Sequence, residues 1–208
     1  MFDAPPAREF LAGLLSIMFA ITIHEFAHAY AADRAGDDTP RLSGRISLNP
    51  IDHFDPVGGM MILFTLLSGF GIGWGKPVRV NPSKFRHPKW DNIKVSMWGP
   101  LSNLLLALCI GILFRVGLMR FDDSLYSYLA LRFVLMNIFL ALFNLIPIAP
   151  LDGSHIFANM LSYEKARSYS IFMGQYGFIC LILILVTGIA GKIIIGPGIT
   201  LFRLFTGG

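Results

Sequence analysis

Three side chains in one short string could hold and use a metal. Residues 23–29 read Ile-His-Glu-Phe-Ala-His-Ala, and His24, Glu25 and His28 are the only acidic, basic or imidazole side chains between Phe10 and Ala32. On an α-helix, residues four apart are separated by about 40° around the axis, so His24 and His28 project from one face a turn apart. Two imidazoles so placed can share one tetrahedral zinc. Glu25 is turned about 100° from His24, which suits it to taking a proton from water rather than to binding metal. In a soluble helix such a string is as readily a solvated face. Inside an apolar segment three such groups are costly and mark a functional interior.

A catalytic zinc takes three protein ligands and an exchangeable water. Asp152 is the best candidate for the third ligand; residues 144–153 read Asn-Leu-Ile-Pro-Ile-Ala-Pro-Leu-Asp-Gly. This carboxylate closes an apolar run, and Pro147 and Pro150 must break or kink the helix just before it. Opened backbone at membrane depth is tolerated only where it lines a protein cavity. Two other readings stay open here. Asp152-Gly153 could be an ordinary helix-ending turn, and His155, beyond that turn, is a rival ligand. His53, between Asp52 and Phe54, is expected to cap or pack rather than to bind metal.

The elements that must bring these groups together are apolar helices. Of 208 residues, 54% are hydrophobic and 14% charged, and the mean hydropathy is +0.62. Soluble domains carry about 25% charged residues, so this chain lacks the charge to coat a globule in water. It reads as an all-α polytopic membrane protein. Disorder is excluded, and so is a disulfide scaffold, because the two cysteines, Cys109 and Cys180, each lie inside an apolar run. Segments 56–75, 95–114, 133–151 and 169–191 contain no Asp, Glu, Lys or Arg. With 10–32 they predict four to five spans of about 20 residues each. The expected helices run over 10–32, 95–118, 125–150 and 167–191, in one domain covering 1–208. The run 193–202 carries Gly196-Pro197-Gly198 and is too short to span, so a partial or interfacial element is expected there. Residues 1–9 lack a basic stretch, so no cleavable signal is expected.

Together these strings resemble the site-2 protease family, the intramembrane zinc metalloproteases of M50 type. Gly99-Pro100-Leu101-Ser102-Asn103 matches a third motif of that family. The links 44–56 and 76–82 resemble a small prokaryotic subgroup without PDZ or CBS domains. The likeness runs from about residue 10 to residue 188, with the three core motifs in the family's order. It implies one catalytic zinc bound by His24, His28 and Asp152, with Glu25 as the catalytic base. It also implies that Asn144 and Asn103 meet the substrate, Asn144 helping to hold the substrate or the developing oxyanion. The implied substrate is a transmembrane protein cut within or next to its span, in a bacterial or archaeal cell membrane. No nucleic-acid partner is expected.

A peptide bond inside a transmembrane helix is shielded until that helix unwinds, and its freed backbone groups then need partners. A short β-strand edge near the site would supply them, and 45–48 and 77–81 are the candidates. The three motifs must also meet at one depth. If 56–75 crossed fully, Gly99 would start on the opposite side from His28, so 56–75 is expected to be re-entrant. The links 33–55 and 76–94 and the region after Asp152 then share one side and carry eleven of the 17 Lys and Arg residues. The positive-inside rule makes that side, and the active site, cytoplasmic. A membrane metal-ion or solute transporter is one alternative, which would spread ionisable groups over several spans and show repeats. An inactive protease-like scaffold is another. A serine protease is disfavoured, because Ser154 and His155 are neighbours without a Gly-x-Ser-x-Gly elbow.

Overall fold

A computed structural model describes residues 6–68, 73–122 and 124–208. Among these residues the chain forms eight α-helices: α1 (Ala7–Ala35), α2 (Thr39–Leu42), α3 (Pro56–Ser68), α4 (Pro88–Arg115), α5 (Leu125–Asn144), α6 (Asp152–Met160), α7 (Tyr163–Val186) and α8 (Ile189–Thr206). Short 3₁₀ turns cover Pro50–His53 and Pro82–Lys84. Helices α1, α4, α5, α7 and α8 are long and apolar enough to cross a membrane.

The centre is a three-helix core of α1, α4 and α5, with α8 on α4 and α5, and α7 on α6 and α8. Its packing is written as rows of every fourth residue. On α1 the buried row is Ala12, Ser16, Ala20, His24, His28 and Ala32; on α4 it is Val95, Gly99, Asn103, Ala107 and Gly111. Residues four apart form the ridges that interdigitate between helices, and small side chains let the backbones approach closely. The two histidines therefore sit in the seam of the bundle. Helix α1 ends at Gly36, whose φ of 112° closes the last turn with bonds to Asp33 and Ala32 from the backbone N–H groups of residues 36 and 37.

Three sequence expectations about element bounds change. The helix expected over 125–150 stops at Asn144, and 145–151 turns through irregular backbone, because Pro147 and Pro150 lack the N–H groups that would continue it. The helix expected over 167–191 stops at Val186, where Gly188 adopts φ 72° and starts α8. Residues 193–202 belong to α8, an 18-residue helix with Pro197 inside it, rather than to a partial element. Lys192 and Arg203 bound the uncharged run but not the helix, since long basic side chains can reach the interface from within a span.

Helix α3 has 13 residues, about 20 Å of helix against about 30 Å of hydrocarbon. Residues 73–74 run beside its first two turns: a Cβ built on Gly58 would lie 2.0 Å from the Trp74 carbonyl oxygen, and one on Gly73 would lie 2.0 Å from Ile62 Cγ1. Residues 69–72 of the segment expected to be re-entrant lie outside the described residues.

The short β-strands expected near the site do not form among the described residues. Residues 45–48 and 77–81 have no ladder partner. Pro77 and Pro82 remove donors, and the N–H groups of Lys76, Val78 and Asn81 are drawn to other acceptors. Lys76 N donates to the His53 carbonyl at 2.8 Å, Val78 N to Glu25 Oε2 at 2.9 Å and Asn81 N to the fully buried Asp37 at 2.6 Å. Lys84 closes the same corner on Asp38 at 2.6 Å, and that bond holds the Asp38 carboxyl below its usual range.

Candidate metal centre

The seam of α1 and α4 and the start of α6 bring three ligand groups to one point. His24 Nε2 lies 3.0 Å from His28 Nε2 and 3.1 Å from Asp152 Oδ2. His28 Nε2 lies 3.2 Å from each Asp152 carboxylate oxygen. Both histidines are buried, and the Asp152 side chain is 17% exposed. Among the described residues no other group of three His, Cys, Asp or Glu side chains converges in this way.

The hydrogen bonds behind these atoms decide which nitrogens face inward. His28 Nδ1 lies 2.8 Å from the Val95 carbonyl oxygen and His24 Nδ1 2.8 Å from Asn103 Oδ1. A carbonyl oxygen only accepts, so both imidazoles carry a proton on Nδ1, and the neutral rings point their Nε2 lone pairs at each other and at the carboxylate. With both rings neutral, three acceptors meet here, an arrangement that a shared cation satisfies. Ligands on a tetrahedral zinc with bonds of 2.0–2.1 Å stand roughly 3.3 Å apart, close to the spacing here. Gly99 makes the room: a Cβ there would lie 2.3 Å from His28 Nε2 and 2.8 Å from His24 Cε1.

Asp152 is aimed by the broken backbone before it. After α5 ends, Ile148 N bonds Ile146 O at 2.8 Å and Leu151 N bonds Ile148 O at 2.9 Å, folding 145–151 back on itself. Ser154 Oγ caps the turn on Leu151 O at 2.7 Å, and Tyr169 of α7 ties down Pro147 O at 2.8 Å. The open helix start therefore presents a carboxylate instead of continuing the span.

Glu25 stands apart from the three ligands, half-buried, with its carboxylate on Val78 N–H. Asn144 is the last residue of α5, and its Nδ2 donates to its own helix at Leu140 O, 3.0 Å away. Asn103, expected at the substrate, is fully buried and faces His24. His155 is on α6 outside the group, its carbonyl accepting from Asn159. His53 is buried against Ser47 O at 2.8 Å, a packing histidine. Asn137, Val95, Val78 and Asp37 escaped sequence reasoning. For Asn137 a signal existed, an amide in the middle of an uncharged apolar run; the backbone groups of Val95 and Val78 leave none.

Residues 119–186 match the family model described as Peptidase family M50. A Bacillus subtilis (strain 168) protein named "Putative zinc metalloprotease YwhC" is 35% identical over 189 residues, which are 87% of this chain and 83% of the relative. The chain belongs to peptidase family M50. A Mycolicibacterium smegmatis protein named "Putative zinc metalloprotease Rip2" is 28% identical over 180 residues, 82% of this chain and 64% of that one. "Zinc metalloprotease MJ0392" of Methanocaldococcus jannaschii is 25% identical over 191 residues, 85% of this chain and 46% of that one. No solved structure gives a significant match. Membership in a peptidase family makes this M50 chain an enzyme rather than a carrier, and its five long apolar helices make it an integral membrane protein.

Proposed function

We propose that this M50 chain hydrolyses a peptide bond within or next to a transmembrane segment of a membrane protein, using one zinc held by His24, His28 and Asp152. The observation that carries the reading is the convergence of two Nε2 lone pairs and a carboxylate at 3.0–3.2 Å in the bundle seam. Bound there, zinc supplies Lewis acidity, polarising the scissile carbonyl and lowering the pKa of water towards about 7. Glu25 takes the proton of the attacking water and returns it to the leaving amine. Asn144, at the broken end of α5, faces the substrate and offers its amide to the developing oxyanion.

The substrate must arrive unwound, because its helical hydrogen bonds bury the scissile bond. Residues 73–81, which form no ladder among the described residues, are the surface along which that unwound stretch lies. We read 56–75 as re-entrant, since α3 is too short to cross and residues 73–74 lie against its first two turns. That places the loops flanking the metal centre on the basic, cytoplasmic side.

The test pairs zinc content with cleavage of a helix-destabilised single-span reporter, for wild type and Glu25→Gln. The expected result is one zinc in both proteins and cleavage by wild type alone. Cleavage by Glu25→Gln would remove Glu25 as the base. Wild-type protein that takes up no zinc, even after reconstitution, would end the metal assignment.

A further inference from the structure

Behind His24 the seam contains two fully buried amides in contact with each other. Asn103 of α4 and Asn137 of α5 are both 0% exposed. Asn103 Nδ2 donates to Ala20 O at 2.9 Å and to Asn137 Oδ1 at 2.8 Å. Asn137 Nδ2 donates to Phe133 O at 2.9 Å. Each orientation is decided by a backbone carbonyl, which can only accept, so neither amide can flip without setting oxygen against oxygen. The result is a chain of one direction: His24 Nδ1–H to Asn103 Oδ1, Asn103 Nδ2–H to Asn137 Oδ1, and Asn137 Nδ2–H to Phe133 O.

We propose that Asn137 is a positioning residue of the metal centre, locking the Asn103 amide and through it the His24 tautomer that turns Nε2 to the metal. It touches neither metal nor substrate. Its Oδ1 takes one of the two Nδ2 hydrogens of Asn103 and Ala20 O takes the other, so the Asn103 oxygen is left aimed at His24. The chain also ties α1, α4 and α5 together at the level of the ligands. Outer partners of metal-bound histidines act in this way, setting ring orientation and ligand basicity. This inference rests on the zinc reading of His24, His28 and Asp152.

The experiment measures zinc affinity of the full-length detergent-purified protein by competition with a chelator, beside apo-protein melting. Asn137→Leu is expected to weaken zinc binding about 10–100-fold, the usual effect of losing an outer-shell partner. Val134→Ala, one turn earlier on α5 and equally buried, is expected to lower the apo melting temperature and leave zinc affinity unchanged. In an Asn103→Leu background, Asn137→Leu is expected to add no further loss beyond about twofold, because the two act in series. Should Asn137→Leu fail to fold, Asn137→Ala and Asn137→Asp are compared; the aspartate keeps an oxygen facing Asn103 and is expected to bind zinc more tightly than the alanine. Unchanged zinc affinity in Asn137→Leu, losses that add in full, or equal losses in the alanine and aspartate variants would each overturn the inference. If wild type binds zinc and only these outcomes fail, the metal centre stands without Asn137; if wild type binds none, both fall.

Discussion

At the scale of single residues, the centre depends on what is missing at position 99 as much as on its ligands. Alanine is a better helix former than glycine by about 1 kcal/mol, so Gly99→Ala would stabilise α4 were the space empty. It is filled: the new Cβ would stand 2.3 Å from His28 Nε2, with α4 backbone behind it. The seam cannot widen, because Val95 O holds His28 and Asn103 holds His24 from the same helix. Gly99→Ala is therefore expected to lose bound zinc while the helical circular-dichroism signal persists. Zinc retained at wild-type stoichiometry would show that the histidines can retreat. The contrast with Glu25→Gln is informative, since Gly99→Ala keeps the proposed base without the metal and Glu25→Gln keeps the metal without the base.

At the scale of elements, two breaks in regular structure matter more than any helix. The first separates α5 from α6, where Pro147 and Pro150 end one span and free Asp152 to open the next helix against α4. The second is the stretch 73–81, whose N–H groups at Lys76, Val78 and Asn81 bond the His53 carbonyl, Glu25 and Asp37 instead of a ladder partner. Val78 N–H holds Glu25 at 2.9 Å, so the strap that crosses the site also aims the proposed base. Val78→Pro deletes that donor in a stretch already carrying Pro77. A hydrogen bond to a charged group contributes about 1.5–3 kcal/mol, so turnover is expected to fall about tenfold or more with zinc content unchanged. Activity equal to wild type in the reporter assay would leave the Val78 contact without a role in aiming Glu25.

At the scale of the whole molecule, the path of the chain through the bilayer follows from where the motifs meet. His24 meets both Asn103 and Asp152, and with 56–75 re-entrant, as proposed, the links leading to α1, α4 and α6 share one side of the bilayer. Cysteines at the exposed positions Leu48 and Lys89, introduced after replacing Cys109 and Cys180, are expected to react with an impermeant maleimide from the same face. Labelling from opposite faces would mean that 56–75 crosses. Helix α7 exposes Ile171, Phe172, Ile179, Leu183 and Val186, an apolar surface suited to lipid tails, which are as apolar as these side chains.

Composition and spacing alone marked the chain as a membrane protein and singled out His24, His28 and Asp152 as candidate metal ligands. Too few charges exist to face water, the four-residue step puts His24 and His28 on one helical face, and prolines before Asp152 must open the span. These conclusions use only local geometry and transfer energies, which are properties of a few adjacent residues. The positions of helix ends were less legible, since an uncharged run marks hydrophobicity and not the hydrogen bonds that stop a helix, as α5 and α8 show. Only the tertiary structure decided that Asn103 turns to His24, that Asn137 stands behind it, that Gly99 clears the site and that Val78 and Val95 lend backbone groups to it. Those contacts join residues from 34 to 79 positions apart in the chain. Their partners are carbonyls, N–H groups and missing side chains, which look the same at every position of a sequence until packing selects one.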